Sequence, residues 1–314
     1  MSKVLILGAT GFIGKALIQA LSGDNTIIAY GRRSQPGWNN GFIEYVPGNL
    51  SEEKRFAWLL EGVDVVIHLA CSAVPSDDTS KIEDEIVDNI IPAVRLLEEM
   101  KNRRNIKLIY ASSAGTVYGE TGESVNSIIS STEPKCSYGI QKVVIENYIK
   151  FYGRRYGLNY SIIRMSNPYG IGQDPHKVQG LIPILLRHIL NGQPVTVYGD
   201  GTNIRDYIYL PELIDGILKT VSYKGSQRVF NLGFGKYYSI NEVINMVENI
   251  TRKRFTERNE LKERFCDIKK GIVDFKSSQT ELGWHPHIEL SEGIRLTYSA
   301  MQNSLHSGDI TWVP

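Results

Sequence analysis

The sequence predicts an α/β chain in which a doubly wound parallel sheet is followed by a smaller C-terminal α/β lobe. Three observations carry this reading. Between Lys3 and Arg164, short apolar runs of strand length alternate with stretches of helix length. The first run, Lys3–Leu7, is followed at once by the glycine turn Gly8-Ala9-Thr10-Gly11-Phe12-Ile13-Gly14, which opens an amphipathic helix reaching Leu21. After Gly170 the elements shorten and turn residues become more frequent. Strand, glycine turn and helix in that order make a Rossmann-type dinucleotide-binding unit. The expected division is a dinucleotide domain over 1–170, rejoined by parts of 204–235, and a substrate-binding lobe over 171–314.

Composition narrows the function class. The chain has 314 residues, ample for a large core. Its net charge of +1 gives no sign of a nucleic-acid or membrane surface. No apolar run approaches the roughly 20 residues of a membrane helix. The Val4–Leu7 run stops at Gly8, unlike a signal peptide. Cys71, Cys136 and Cys266 form an odd set without metal-ligand spacing. They read as reduced thiols of a cytoplasmic protein.

Each element then takes its place. In the glycine turn, Gly8 permits the tight bend, Gly11 lets backbone approach a pyrophosphate, and Gly14 lets helix pack on strand. Thr26–Tyr30 is a second strand. An NAD site places an acid at its end to hold the ribose 2′-OH. Here Gly31-Arg32-Arg33 stands instead. Two guanidinium groups suit a 2′-phosphate, which favours NADP(H), with NAD as the alternative. Val63–Leu69 is a third strand. It leads into the small residues Ala70-Cys71-Ser72-Ala73, which admit a cofactor, and its His68 reads as a satisfied core histidine. Glu83–Met100 is a helix containing Asn89 and kinked at Pro92. Lys107–Tyr110 is a fourth strand, with Ser112 and Ser113 on the loop after it, where open α/β sheets bind ligands. Tyr160–Arg164 is a further strand. Leu181–Leu190, Pro211–Val221 and a capped helix from Ser239 with Glu242 three residues on fill the second half. Val195–Tyr198 and Arg205–Leu210 are its strands.

The chemistry centres on Ser137-Tyr138-Gly139-Ile140-Gln141-Lys142. On a helix, Tyr138 and Lys142 share a face. A phenol of pKa about 10 is a poor base near neutrality, and a cation beside it lowers that value. The pair can exchange a proton with a substrate hydroxyl or ketone.

These features together resemble an extended short-chain dehydrogenase/reductase of the nucleotide-sugar epimerase/dehydratase family, typified by UDP-glucose 4-epimerase. The resemblance rests on the Gly8–Gly14 turn, Ser112-Ser113 with Val117-Tyr118-Gly119, Tyr138-x-x-x-Lys142 and Ser166-Asn167-Pro168-Tyr169-Gly170. It continues through Gly199-Asp200-Gly201, Arg205-Asp206-Tyr207-Ile208, Arg264-Phe265-Cys266-Asp267-Ile268 and Glu281-Leu282-Gly283-Trp284. It implies that Tyr138 is the acid/base and that Lys142 holds the nicotinamide ribose and lowers the Tyr138 pKa. A hydroxyl after the fourth strand would bond the sugar 4-oxygen. Counted from the strand end this is Ser113, and counted back from Val117-Tyr118-Gly119 it falls on Ala114. The strand end fixes position better, so Ser113 is taken. The cofactor site would include Gly8, Thr10, Gly11, Phe12, Ile13, Gly14, Arg32, Arg33, Asn49, Leu50, Leu69, Ala70 and Asn89. Asn167 would contact sugar or diphosphate, Arg205 and Arg264 the diphosphate, Asp267 a ribose hydroxyl, and Tyr198 the base. The family habit is a homodimer through a bundle that includes the Tyr138 helix.

Three departures bear on activity. The second-strand acid is replaced by Gly31-Arg32-Arg33, and Asn49 stands for an aspartate near the adenine. Gly115 and Thr116 occupy the places of the acids that dehydratases use, which disfavours loss of water. The resemblance therefore implies a 4-epimerase of a nucleoside-diphosphate hexose, a UDP-sugar foremost, acting through a transient 4-keto sugar. The alternatives are an NADPH-dependent 4-keto-sugar reductase and an inactive dinucleotide-sensing module.

Overall fold

The computed structural model describes residues 2–307 except 33–37, 39–40, 54–55, 121, 123 and 178. Its first half runs β1 (Lys3–Leu7), α1 (Phe12–Leu21), β2 (Thr26–Gly31), β3 (Ile43–Pro47), β4 (Val65–His68), α2 (Ile82–Glu85), α3 (Ile91–Met100), β5 (Lys107–Ser113), α4 (Ala114–Val117), β6 (Val125–Asn126), α5 (Ser137–Tyr156) and β7 (Asn159–Met165). Then follow β8 (Asn167–Tyr169), α6 (Leu181–Leu190), β9 (Val195–Tyr198), β10 (Ile204–Tyr209), α7 (Leu210–Ser222), β11 (Val229–Leu232), β12 (Tyr237–Ser239), α8 (Ile240–Thr251), β13 (Arg258–Leu261), β14 (Ile272–Val273), α9 (Lys276–Leu282) and α10 (Leu290–Ser307).

Seven strands form one sheet in the order β3-β2-β1-β4-β5-β7-β11. Every pairing in it is parallel. The strand order reverses between β1 and β4, so a crevice opens at their carboxyl ends. Near-continuous apolar strands of this kind bury both sheet faces. One face is covered by Leu17 and Ile18 of α1 with Leu213, Ile214 and Ile217 of α7. The other is covered by Leu96, Leu97 and Met100 of α3 with Ile145, Ile149 and Tyr152 of α5. This is the Rossmann-type architecture expected, with β11 supplied from the second half of the chain. Two small sheets, β12-β10-β8 and β13-β9, pack with α6, α8 and α10 around a separate core, and β14 pairs with β6. The capping box at Ser239 and Glu242 is present.

Three local expectations need correction. β5 does not end at Tyr110. It pairs with β7 from Lys107↔Asn159 to Ser113↔Met165, so Ser112 and Ser113 are strand residues and the turn is the short helix α4. Beyond Tyr110 the pairing with β4 has ended, and β7 alone carries β5 on to Ser113. The long helix is not a single α-helical run. Between α2 and α3 the chain makes a π-helical segment, Ile86–Ile90, and Pro92 sits in the first turn of α3. Proline there lacks the N–H that would return to the carbonyl four residues back, and the widened segment just before it absorbs the change of register. Finally, β3 is a strand beyond those expected: its burial is mixed and it closes on a proline, as an edge strand does.

Candidate active site

The glycine turn sits in the crevice. Gly8 has φ +89, and a Cβ there would meet the Ala70 nitrogen at 2.8 Å. A Cβ on Gly14 would lie 2.5 Å from the Gly8 carbonyl oxygen. Both positions therefore exclude any side chain. The N–H groups of Gly8 and Ala9 donate to the Tyr30 carbonyl at 3.0 and 3.1 Å, tying the turn to β2. Gly11 caps α1 without a side-chain bond. The first-turn N–H groups of α1, at Phe12, Ile13 and Gly14, have no intrahelical partner and face an anion naturally. Thr10 closes against Gly31, whose Cβ would lie 3.0 Å from the threonine side chain. Leu69 extends β4 by donating to the Leu7 carbonyl at 2.9 Å. A cradle so shaped fits a dinucleotide pyrophosphate.

Around it the other expected cofactor residues are placed as follows. Arg32 is exposed just beyond β2, and Arg33 lies outside the described residues. Asn49 accepts from the Ser51 N–H and donates to Glu52, which organises its own turn, while Leu50 is buried in the core. Asn89 is buried, and its amide is fully engaged within the protein. Its oxygen accepts from the Ser72 N–H at 2.9 Å, and its nitrogen donates to the Glu85 carbonyl and to Gln141, each at 2.9 Å. It thus fastens the loop after β4 to α5, one residue before Lys142. Gln141, not singled out from sequence, completes the link through Glu85 and Ser137. Its signal was its place inside the Ser137–Lys142 motif.

Tyr138, Lys142 and Ser113 converge at this point. The Lys142 ammonium stands 5.4 Å from the Tyr138 ring centre and 5.2 Å from that of Tyr110. It donates to the Ala111 carbonyl at 2.8 Å. The Ser113 hydroxyl hydrogen-bonds the Tyr138 phenol. Lysine was expected to lower the phenol's pKa. Lys142 and the Ser113 bond both pull it down, but burial, the largest influence, outweighs them and the net shift is upward. His68 is buried as expected but not satisfied: its Nδ1 has no partner, and burial followed by the Lys142 charge lowers its pKa to about 3. It stays neutral and packs edge-on to Tyr110.

A small cavity adjoins this centre, lined by Ala114, Gly115, Asn167, Arg205, Ile268 and Gly271 among others. A Cβ on Gly115 would stand 3.9 Å from the Asn167 amide and 4.0 Å from the Ser113 hydroxyl, so the cavity opens onto the catalytic candidates. Asn167 donates to the Asp206 carbonyl at 2.7 Å. Arg205 donates to the carbonyls of Ile204 and Ile268 and stands 4.0 Å from Asp267. Arg264 binds Asp267 at two points, 3.0 and 2.8 Å. Its guanidinium lies 4.7 Å from the centre of the Tyr198 ring, on the ring expected to meet a base. Asp206 was missed as a site-building residue. Buried beside Arg205, its carboxylate accepts the N–H groups of Phe234, Gly235 and Lys236 and fixes the turn after β11. The sequence signal was an Arg-Asp pair inside a strand whose other residues are Ile and Tyr.

The comparisons agree with this geometry. The sequence profile of the NAD dependent epimerase/dehydratase family, Epimerase, matches residues 4–233. The chain belongs to that family. A dTDP-4-dehydro-6-deoxyglucose reductase of Escherichia coli is 31% identical over 93% of this chain and 95% of its own. The crystal structure of a UDP-glucose 4-epimerase from Thermotoga maritima with UDP-glucose superposes with a TM-score of 0.89 at 28% identity, covering 96% of this chain and 99% of that one. A UDP-glucuronic acid 4-epimerase from Bacillus cereus, in complex with UDP-glucuronic acid and NAD, gives 0.88 at 27% identity over 96% and 99%. Family membership makes the chain an extended short-chain dehydrogenase/reductase, as the motifs implied. Among its described residues no helix is long and apolar enough to cross a membrane, and no group of three or more His, Cys, Asp or Glu side chains could hold a metal.

Proposed function

We propose that the protein is a 4-epimerase of a nucleoside-diphosphate hexose, with a UDP-sugar as the first candidate. The observation that carries this is the convergence of Tyr138, Lys142 and Ser113 beside the Gly8–Gly14 cradle, with a cavity running on to Asn167 and Arg205. A bound nicotinamide dinucleotide supplies the hydride acceptor and donor at C4. Tyr138 takes the proton of the sugar 4-OH and returns it after the 4-keto sugar has turned over. Ser113 steadies the 4-oxygen, and Lys142, anchored on the Ala111 carbonyl, holds the ribose hydroxyls. Arg205 and Arg264 hold the diphosphate, Asp267 a nucleotide ribose hydroxyl, Asn167 the sugar or diphosphate, and Tyr198 the base. Binding energy from those remote groups retains the intermediate while it rotates. Because Arg32 and Arg33 replace the usual acid, NADP(H) is the proposed cofactor and NAD the competitor. Gly115 and Thr116, in place of acids, leave dehydration without its second catalyst.

A second reading, an NADPH-dependent 4-keto-sugar reductase, is favoured by the 31% identity to the E. coli reductase. The same tyrosine and lysine would serve it. Isolation of the protein with oxidised dinucleotide bound, and turnover without added cofactor, supports the epimerase. Strict dependence on added NADPH supports the reductase. In either reaction Tyr138→Phe removes the acid/base and lowers the rate by about 10²–10⁴. Rates near wild type would end both readings.

Dimerisation is proposed through the exposed apolar side chains of two neighbouring helical segments. Val87 and Ile91 lie on one, with Ile140, Tyr148 and Phe151 on α5. An apolar patch of this kind marks an interaction surface. Light scattering at micromolar concentration is the direct test.

A further inference from the structure

The segment Arg264–Lys270 belongs to the C-terminal lobe, but side chains from the sheet half hold it by its main chain. Asp77, in the connection after β4, accepts the N–H groups of Phe265 at 2.8 Å and Cys266 at 2.7 Å, one on each carboxylate oxygen. Glu120, just after α4, does the same to Lys269 at 2.8 Å and Lys270 at 2.9 Å. Lys135, just before α5, donates to the Asp267 carbonyl at 3.0 Å, with its ammonium 5.5 Å from the Phe265 ring centre. Asp77 and Glu120 are exposed, so neither serves a core. Their shared target is the stretch that carries Arg264 and Asp267 and lines the cavity through Ile268. The two N–H groups that Asp77 takes lie between Arg264 and Asp267 in sequence. Holding them fixes how the turn presents both side chains.

We infer that Asp77 and Glu120 are positioning residues: together they strap the 264–270 segment to the loops at the carboxyl ends of β4 and β5 and so set Arg264 and Asp267 for the nucleotide half of the substrate. The inference rests on the proposed reading of Arg264 and Asp267 as nucleotide-binding groups. Carboxylate-to-N–H bonds are charge-assisted and orient strongly. Because they grip main chain, the strap acts on position and leaves Tyr138 chemistry alone. Its signature is therefore a rise in KM without a matching fall in kcat.

The test uses Asp77→Ala, Glu120→Ala and the double variant in the full chain, with the isosteric pair Asp77→Asn and Glu120→Gln as rescue. Binding of UDP, without any sugar, is measured by calorimetry, and hydrogen exchange is followed at 264–270. The double alanine variant is expected to bind UDP at least about 10-fold more weakly, as loss of charged hydrogen bonds implies. Its exchange over 264–270 should rise, while its dinucleotide content and kcat stay near the parent's. Each amide variant keeps one of its two acceptor oxygens and sets an NH2 against the other N–H, so it should recover only part of the affinity. UDP affinity equal to the parent's, or lost affinity with unchanged exchange at 264–270, overturns the strap. A parent that binds dinucleotide but no UDP overturns the reading of Arg264 and Asp267 itself, and the strap's role with it.

Discussion

Glu146 and Arg164 meet across α5 and β7 at two points, 2.9 and 2.6 Å, with both side chains withdrawn from water. Ser112 of β5 donates to the same carboxylate at 2.6 Å. Arg164 donates on to the Tyr118 hydroxyl at 2.8 Å, and Tyr118 to Asn231 of β11 at 2.7 Å. Burial alone would raise the Glu146 carboxyl, but the bonds and charge of Arg164 hold it below its ordinary range. Three strands and the end of α4 are thus locked to one helix, two turns beyond Tyr138. The fold uses this network to set the rotation of α5, and with it the direction of the phenol.

Removing one partner leaves an uncompensated charge in the interior. Glu146→Ala is expected to cost about 3–5 kcal/mol of unfolding free energy. Urea titration reads it. A loss under 1 kcal/mol would mean that the network carries little of the fold. Activity should fall with stability in this variant, because Tyr138 shares the helix.

His68 gives the stability a pH dependence. Its folded-state pKa is lowered from 6.5 to about 3, so the folded chain refuses a proton that the unfolded chain accepts. Stability from this group is present above 6.5 and is lost as pH falls toward 3, by an amount on the order of 5 kcal/mol at the low end. Asp206 acts the other way. Burial raises its carboxyl from 3.8 to about 6, so its contribution is present below 3.8 and lost as pH rises through 6. The variant His68→Gln should flatten the acid side of the stability profile measured by thermal unfolding between pH 4 and 7. An unchanged slope would show that His68 titrates normally.

What the sequence disclosed and what it hid divide along local and non-local lines. The Gly8–Gly14 turn and the Tyr138/Lys142 pair were legible because their geometry is set within one turn or one helix. Gly8 and Gly14 are demanded by backbone contacts a few residues away or one strand over. Asn89 was legible as a site residue, but its work, bridging Ser72 to Gln141, required knowing that α5 packs beside its helix. The grips of Asp77 and Glu120 are made to main chain 188 and 149 residues away, and no side-chain pattern records them. The downward pull of Lys142 on Tyr138 was legible in the motif, whereas the burial that outweighs it is a property of the packed loops.

Arg32 offers a test of cofactor choice. It is exposed at the end of β2, level with the glycine cradle. A guanidinium that meets a 2′-phosphate is worth about 1.5–3 kcal/mol, so Arg32→Ala should weaken NADP(H) roughly 10-fold or more and leave NAD nearly unchanged. Competition between the two dinucleotides, read by nicotinamide fluorescence, decides it. Equal losses for both would assign Arg32 to the shared part of the cofactor, and the preference would then lie elsewhere.

Ser113 provides the sharpest check on the proposed catalytic centre, because its side chain pulls the phenol's pKa one way and burial pulls it the other. Its hydrogen bond lowers the Tyr138 pKa, against a burial effect that raises it. Ser112, one residue earlier, is committed to Glu146 and cannot take over. On the other side Ala114 has no polar atom to offer. Loss of the hydroxyl in Ser113→Ala should therefore do two things at once. The rate should fall by about 10-fold or more, as expected when a donor to the reacting oxygen is removed. The ascending limb of the pH–rate profile, set by ionisation of Tyr138 as the base, should move to higher pH, because the phenolate has lost a stabilising bond. Ser113→Thr keeps the hydroxyl on a half-buried strand end and should restore both. A slower enzyme with an unmoved profile would place Ser113 on the substrate alone, and a profile that moved to lower pH would contradict the hydrogen bond itself.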